Sequence, residues 1–183
     1  FRLLTSKEIN GRLQWLAGKE GLTVEPAALD LIAQQGAGSL RDAESLMDQL
    51  ITSPDDPITL ERTQMVLGTA TEQSIALVTG AWLTGNSGEG LRVIHDALSS
   101  GADARQFARQ MVAYLRELLL LKAAGDALPL DGTAERKQAM LAQINRTSTS
   151  ALIRAVKAFN EAAMATTSSW QPQLPLELAY ISL

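Results

Sequence analysis

The sequence has 183 residues, 46% of them apolar and 20% charged, with a mean hydropathy of +0.02, which is globular chemistry and excludes a disordered or collagen-like chain. It has no cysteine and one histidine, His95, so disulfides, thiolate catalysis, cysteine-based zinc or iron–sulfur sites and histidine-rich metal centres are excluded. The net charge is −4: residues 1–70 carry 6 basic and 10 acidic groups and residues 71–183 carry 10 of each, so neither half is a polycation and a large DNA-binding face is not expected.

The longest leucine run, Leu118 to Leu121, is far short of a membrane span or a signal-peptide core, and an intracellular, soluble protein with no membrane partner is expected. A chain opening on Phe1 rather than Met is expected to be a piece of a longer one. Leu (29) and Ala (27) far outnumber the 8 aromatic residues, and both favour helix over strand, so an all-α fold is expected.

Elements in chain order support that expectation. Thr5-Ser6-Lys7-Glu8 is a capping box, and Ile9, Leu13 and Leu16 follow at helical spacing until Gly21. A second helix starts at Pro26, presents Leu29, Ile32 and Ala33, and ends at Gly36-Ala37-Gly38. Ser39 caps a third, with Leu40, Ala43, Met47, Leu50 and Ile51 on its apolar stripe, which Ser53-Pro54-Asp55-Asp56-Pro57 terminates. Thr59 caps a short fourth helix that stops at Gly68, giving a four-helix unit over residues 1–70.

Residues 71–183 read as a second helical unit. Faces built on Ile75, Val78 and Trp82, and on Leu91, Ile94 and Leu98, precede the longest run, Asp103 to Ala124, with Phe107, Met111, Tyr114, Leu115 and Leu118 along one side. A loop over Gly125 to Thr133 follows. Beyond it come faces built on Met140, Leu141 and Ile144, and on Leu152, Val156, Phe159 and Ala163. Thr147 to Ser150 reads as a helix cap and Thr166 to Ser169 as a helix end. Pro172 and Pro175 introduce a terminal helix through Leu176, Leu178 and Tyr180.

No phosphate loop, His-x-x-x-His pair or nucleophile elbow is visible, and His95 reads as an ordinary helical histidine. One segment is sharper. In Gly36-Ala37-Gly38-Ser39-Leu40-Arg41-Asp42 an arginine falls in the first turn of a helix, where the partial positive charge of the helix end disfavours it. Two readings stand: a solvated arginine paired with Glu44, or a guanidinium that joins open first-turn amides in holding a phosphate. On the long helix, Arg105, Arg109 and Arg116 fall within roughly 40° of one another at 100° per residue. That stripe reads as a solvated face paired locally to Glu117 or Asp103, or as a phosphate contact. Leu120 falls beside it, outside the core face, as a single exposed leucine or a contact to another chain.

Gly38-Ser39-Leu40-Arg41-Asp42-Ala43 followed by Ser45-Leu46-Met47-Asp48-Gln49 resembles the lid-domain motif of the tau/gamma subunits of bacterial DNA polymerase III, the clamp-loader AAA+ ATPases. Glu20-Gly21-Leu22, Val66-Leu67-Gly68 and the opening Phe1-Arg2-Leu3-Leu4-Thr5 fit the same pattern. Gly101-Ala102-Asp103, Phe107, Tyr114 to Leu118 and Pro175-Leu176-Glu177 resemble the family's collar domain. The resemblance implies an AAA+ lid over residues 1–70 and a collar that oligomerises over residues 71–183. It implies that Arg41, with Gly38, is the sensor-2 element that meets ATP held with magnesium in a preceding ATPase domain, and that the present residues alone neither hydrolyse nor tightly bind ATP. The implied partners are other clamp-loader subunits (tau/gamma copies, delta and delta-prime) and, through the whole complex, the sliding clamp and primed DNA, in the cytoplasm. The alternatives are a structural helical adaptor that never meets nucleotide and a non-hydrolysing clamp-loader subunit such as delta-prime.

Overall fold

Helix caps do much of the folding logic here, because each removes one of the orphan amides at a helix start. In the computed structural model, which describes residues 3–53, 56–125, 134–165 and 171–183, the Glu8 amide donates to the Thr5 hydroxyl at 3.2 Å while the Glu8 carboxylate accepts from the Thr5 amide at 2.9 Å. This capping box starts α1, Ser6–Glu20, and Gly21 ends it in the left-handed conformation at φ 70°. α2, Pro26–Gln35, begins at its proline, and α3, Leu40–Leu50, begins behind Ser39, whose hydroxyl accepts from the Asp42 amide. α4 spans Leu60–Leu67. The chain divides into two units, one running to Leu67 and the other from Gly68 to Leu183.

In the first unit Ile9, Leu13, Ile32, Met47 and Leu50 are fully buried from three helices, and Ile58 joins them from the segment before α4. Burial of each such side chain stabilises the unit by about 2 kcal/mol. That segment is tied by a parallel bridge, in which Ile58 donates to the Thr23 carbonyl at 2.8 Å and accepts from the Glu25 amide at 3.0 Å. The Glu25 carboxylate then accepts from the first amide of α4, on Leu60, at 2.7 Å, a cap supplied from 35 residues away.

The second unit contains α5 (Glu72–Leu83), α6 (Ser87–Ser99), α7 (Ala104–Ala124), α8 (Ala134–Ile144), α9 (Thr149–Met164) and α10 (Leu174–Ile181). Thr71, Asn86, Asp103 and Ser148 cap four of them. The long α7 is the axis, and it packs most extensively on α9, so that Phe107, Met111, Leu115, Leu118, Leu152 and Phe159 share one core. The Gln110 side chain donates to the Ala70 carbonyl and accepts from the Ala70 amide, both at 2.9 Å, which fastens the start of the unit to α7. Tyr114 donates to Gln143 at 2.9 Å, and Gln143 donates in turn to the Ala76 carbonyl at 3.1 Å, linking α7, α8 and α5.

The helices expected from the sequence are all present. Within α10, Leu176 and Tyr180 are buried while Leu178 is 56% exposed. Positions two apart in a helix lie about 200° from each other, so Leu178 points away from its neighbours. The expected loop over 126–133, the helix end at Thr166 to Ser169, the turn residues Pro54 and Asp55, and the opening pair Phe1 and Arg2 lie outside the described residues.

Candidate functional site

The loop from α2 to α3 turns within three residues. Gly36 is right-handed, Ala37 is left-handed at φ 48° and Gly38 is left-handed at φ 88°. A side chain at Gly36 would meet the Ala43 Cβ at 2.7 Å, so the absence of one lets α2 run directly into the α3 contact. The loop amides are satisfied inside the turn: Gly36 donates to Ile32, Ala37 to Gln34 and Ser39 to Gly36. The Ser39 hydroxyl takes the Asp42 amide and its carbonyl takes the Ala43 amide. The amides of Leu40 and Arg41 keep no acceptor among the described residues.

Arg41 is exposed beside those amides. Its guanidinium makes no hydrogen bond or ion pair among the described residues, and the pairing with Glu44 does not form. An unpaired cation and two open amides thus converge at one helix end, a position that costs about 0.3–1 kcal/mol until an anion neutralises it. A cation and open amides at a helix start favour an anion. The exposed Asp42 carboxylate in the same turn limits the net attraction. The described residues contain no group of three or more His, Cys, Asp or Glu side chains that could hold a metal ion.

The remaining candidates sort differently. His95 is exposed on α6. Arg109 and Arg116 are exposed and Arg105 is half-buried. Asp103 caps the Gln106 amide at 2.9 Å, and Glu117 forms an ion pair with Arg136 at 2.8 Å. Burial works against the Arg136 charge, yet bonds to Glu72 and Glu117 hold its pKa above the ordinary value. Leu120 is half-buried.

The exposed apolar surface lies elsewhere, on α10, where Leu174, Leu178 and Ile181 stand open at spacings of four and three. Residues at such spacings form one helix face, so the three make a continuous stripe. Trp15 on α1 was also passed over: it is 45% exposed, with the Arg12 guanidinium 3.9 Å and the Lys19 ammonium 4.5 Å from its ring.

Residues 8–56 match the family model of the DNA polymerase III clamp loader subunit ATPase lid domain, and residues 58–183 match that of domain III of the DNA polymerase III subunits gamma and tau. The chain belongs to the gamma and tau family. It is 30% identical to DNA polymerase III subunit tau of Bacillus subtilis over 74% of its own length and 24% of that protein's. Against subunit tau of Escherichia coli the identity is 28%, over 73% of this chain and 21% of that one. The chain therefore spans about a quarter of the length of these curated relatives. Protein STICHEL-like 1 of Arabidopsis thaliana is 29% identical over 65% of the chain.

Among solved structures, the Bacillus subtilis DNA clamp loader delta protein superposes on all of this chain and 57% of its own, with a TM-score of 0.51 at 17% identity, a likeness of fold. In family terms the structure holds an all-α lid followed by a collar-type domain III, and no described helix is long and apolar enough to cross a membrane.

Proposed function

We propose that this chain is the nucleotide-reporting and assembly part of a clamp-loader subunit that helps place the sliding clamp on primed DNA. In this reading Arg41 meets the terminal phosphate of ATP held by a preceding ATPase module. Bound ATP supplies the anion that the helix end lacks. The chain's own residues do the rest: the open amides of Leu40 and Arg41 orient that phosphate, and Arg41 distinguishes a triphosphate from a diphosphate because only the former reaches it. Lid position then follows nucleotide state, because α3 is rigidly packed through Ala43, Met47 and Leu50. The second unit, with its α10 stripe uncovered, joins other clamp-loader subunits such as tau/gamma copies, delta and delta-prime.

The observation that carries the reading is the free guanidinium at the start of α3 in a chain whose lid segment belongs to this family. The test is Arg41→Ala in the chain joined to its ATPase module. ATP turnover is expected to fall about tenfold or more, in line with loss of one charge-assisted phosphate contact. Turnover equal to that of the unaltered protein would remove the reporting role.

A further inference from the structure

Gly38 lies in the segment that resembles a nucleotide-sensing motif, but its surroundings give it a mechanical task. Its carbonyl accepts a hydrogen bond from the Leu4 amide at 3.1 Å. A Cβ built on Gly38 would lie 2.8 Å from the Leu3 Cβ and 3.2 Å from its Cδ2. Leu3 itself is 75% exposed, so its side chain adds little to the core, yet that side chain lies against the Gly38 turn. Leu4 then packs partly into the first unit's core, and Thr5 caps α1. The inbound segment therefore crosses the loop that carries Arg41 before it enters any helix.

That loop cannot absorb a push locally. Its Gly36 end is pressed on Ala43, and the Ser39 amide is bonded to the Gly36 carbonyl at 2.8 Å. Arg41 follows Gly38 by three residues on the same rigid turn. A displacement arriving along residues 3 and 4 is thus passed through Gly38 to the start of α3.

We infer that the seat of Leu3 and Leu4 on Gly38 couples the incoming segment to the loop that presents Arg41, and that Gly38 is a positioning residue rather than a phosphate ligand. The inference rests on the nucleotide-reporting reading above for its functional consequence, and on the seat alone for its structural one. Glycine is required twice, by the φ of 88° and by the missing Cβ.

Two experiments separate these layers. In the present chain, Gly38→Ala is expected to speed hydrogen exchange at the Leu4 amide about tenfold while distant core amides stay protected. Adding Leu3→Gly removes the collision but not the strain of an alanine at φ 88°, so it is expected to restore part of the protection. Unchanged exchange at Leu4 in Gly38→Ala, or no recovery in the double variant, overturns the seat.

In the chain joined to its ATPase module, Gly38→Ala is expected to lower kcat about tenfold with KM for ATP within about twofold, and the double variant to recover part of kcat. A phosphate ligand would instead move KM, and Leu3→Gly would not rescue it, so that pattern overturns the positioning role. Arg41→Ala runs alongside. If it turns over normally, the nucleotide reading fails, while the exchange experiment still decides the seat.

Discussion

The two units expose different chemistry at their clearest features. The first places Arg41, exposed and without a partner among the described residues, on a loop held by its own backbone bonds. The second bridges Arg136 to Glu72 and Glu117 and leaves an apolar stripe open along α10. A charge read at a distance suits a signal that appears and disappears with a phosphate, because Coulomb attraction switches with the ligand's charge. Uncovered hydrocarbon suits a lasting assembly, because its driving force scales with area and does not depend on ligand state. On the proposed reading, sensing and assembly call for different surface chemistry, the first supplied by Arg41 and the second by the α10 stripe.

The most severe test of that contrast disables one unit alone. Tyr180 lies so close to Gly90 that a Cβ there would fall 1.8 Å from the phenol oxygen. Gly90→Ala must push α10 off α6, at an expected cost of about 3 kcal/mol, the scale of overpacking in a dense core. Calorimetry is expected to show the second unit's transition lowered while that of the first is unchanged. A shift of both transitions together would mean that the two units do not fold independently.

A milder change separates assembly from folding. Leu178→Lys combined with Ile181→Lys places charges on the α10 stripe, where both side chains are exposed, so the melting temperature is expected to move little. Association with partner subunits is expected to weaken by about 2 kcal/mol or more, the scale of losing a desolvated apolar anchor. Native mass with and without delta and delta-prime checks it. Full assembly by this variant would place the contact elsewhere and sharpen the search toward Leu77 and Ile153, which are also exposed.

How far the sequence could be read follows from the range of each interaction. Caps at Thr5, Ser39, Thr59 and within Thr147 to Ser150 act on amides about three residues away, so they were legible, while those at Thr71, Asn86 and Asp103 emerge in the structure. The Gly-x-x-Arg loop was legible as a motif. Whether Arg41 would pair with Glu44 was not, because rotamer choice on an exposed helix turn leaves no trace in residue order. Cross-links such as Gln110 with Ala70 and Gln143 with Ala76 join residues 40 and 67 positions apart, and glutamine has no pattern that announces such a bond. The α10 stripe was missed because eight residues give too few turns for a period, and alternate leucines there face opposite ways. Leu120, in a run of four leucines, reads as exposed or as a contact, and it is half-buried.

The smallest expected effect concerns the polar seam of the second unit. Tyr114 is buried beneath α8, and desolvation pushes its phenol up to about 12, with Glu72 and Glu117 adding to the shift and Arg136 and the Gln143 bond opposing it. The folded phenol holds its proton more tightly than an unfolded tyrosine, whose pKa is near 10. Between roughly pH 10 and 12 the unfolded chain therefore binds fewer protons than the folded one, and stability falls as pH rises through that window. Below it the contribution is fully present. The second unit's transition is expected to drop by several degrees from pH 9.5 to 11.5, with a lesser contribution of the same sign from Tyr180, which burial also shifts upward. Tyr114→Phe loses the bond to Gln143 and is expected to start lower but to flatten much of the alkaline slope. The first unit has no tyrosine, so it supplies the internal control. An equally steep alkaline loss in both units, or an undiminished slope in Tyr114→Phe, would show that the seam's phenol is not what the base attacks.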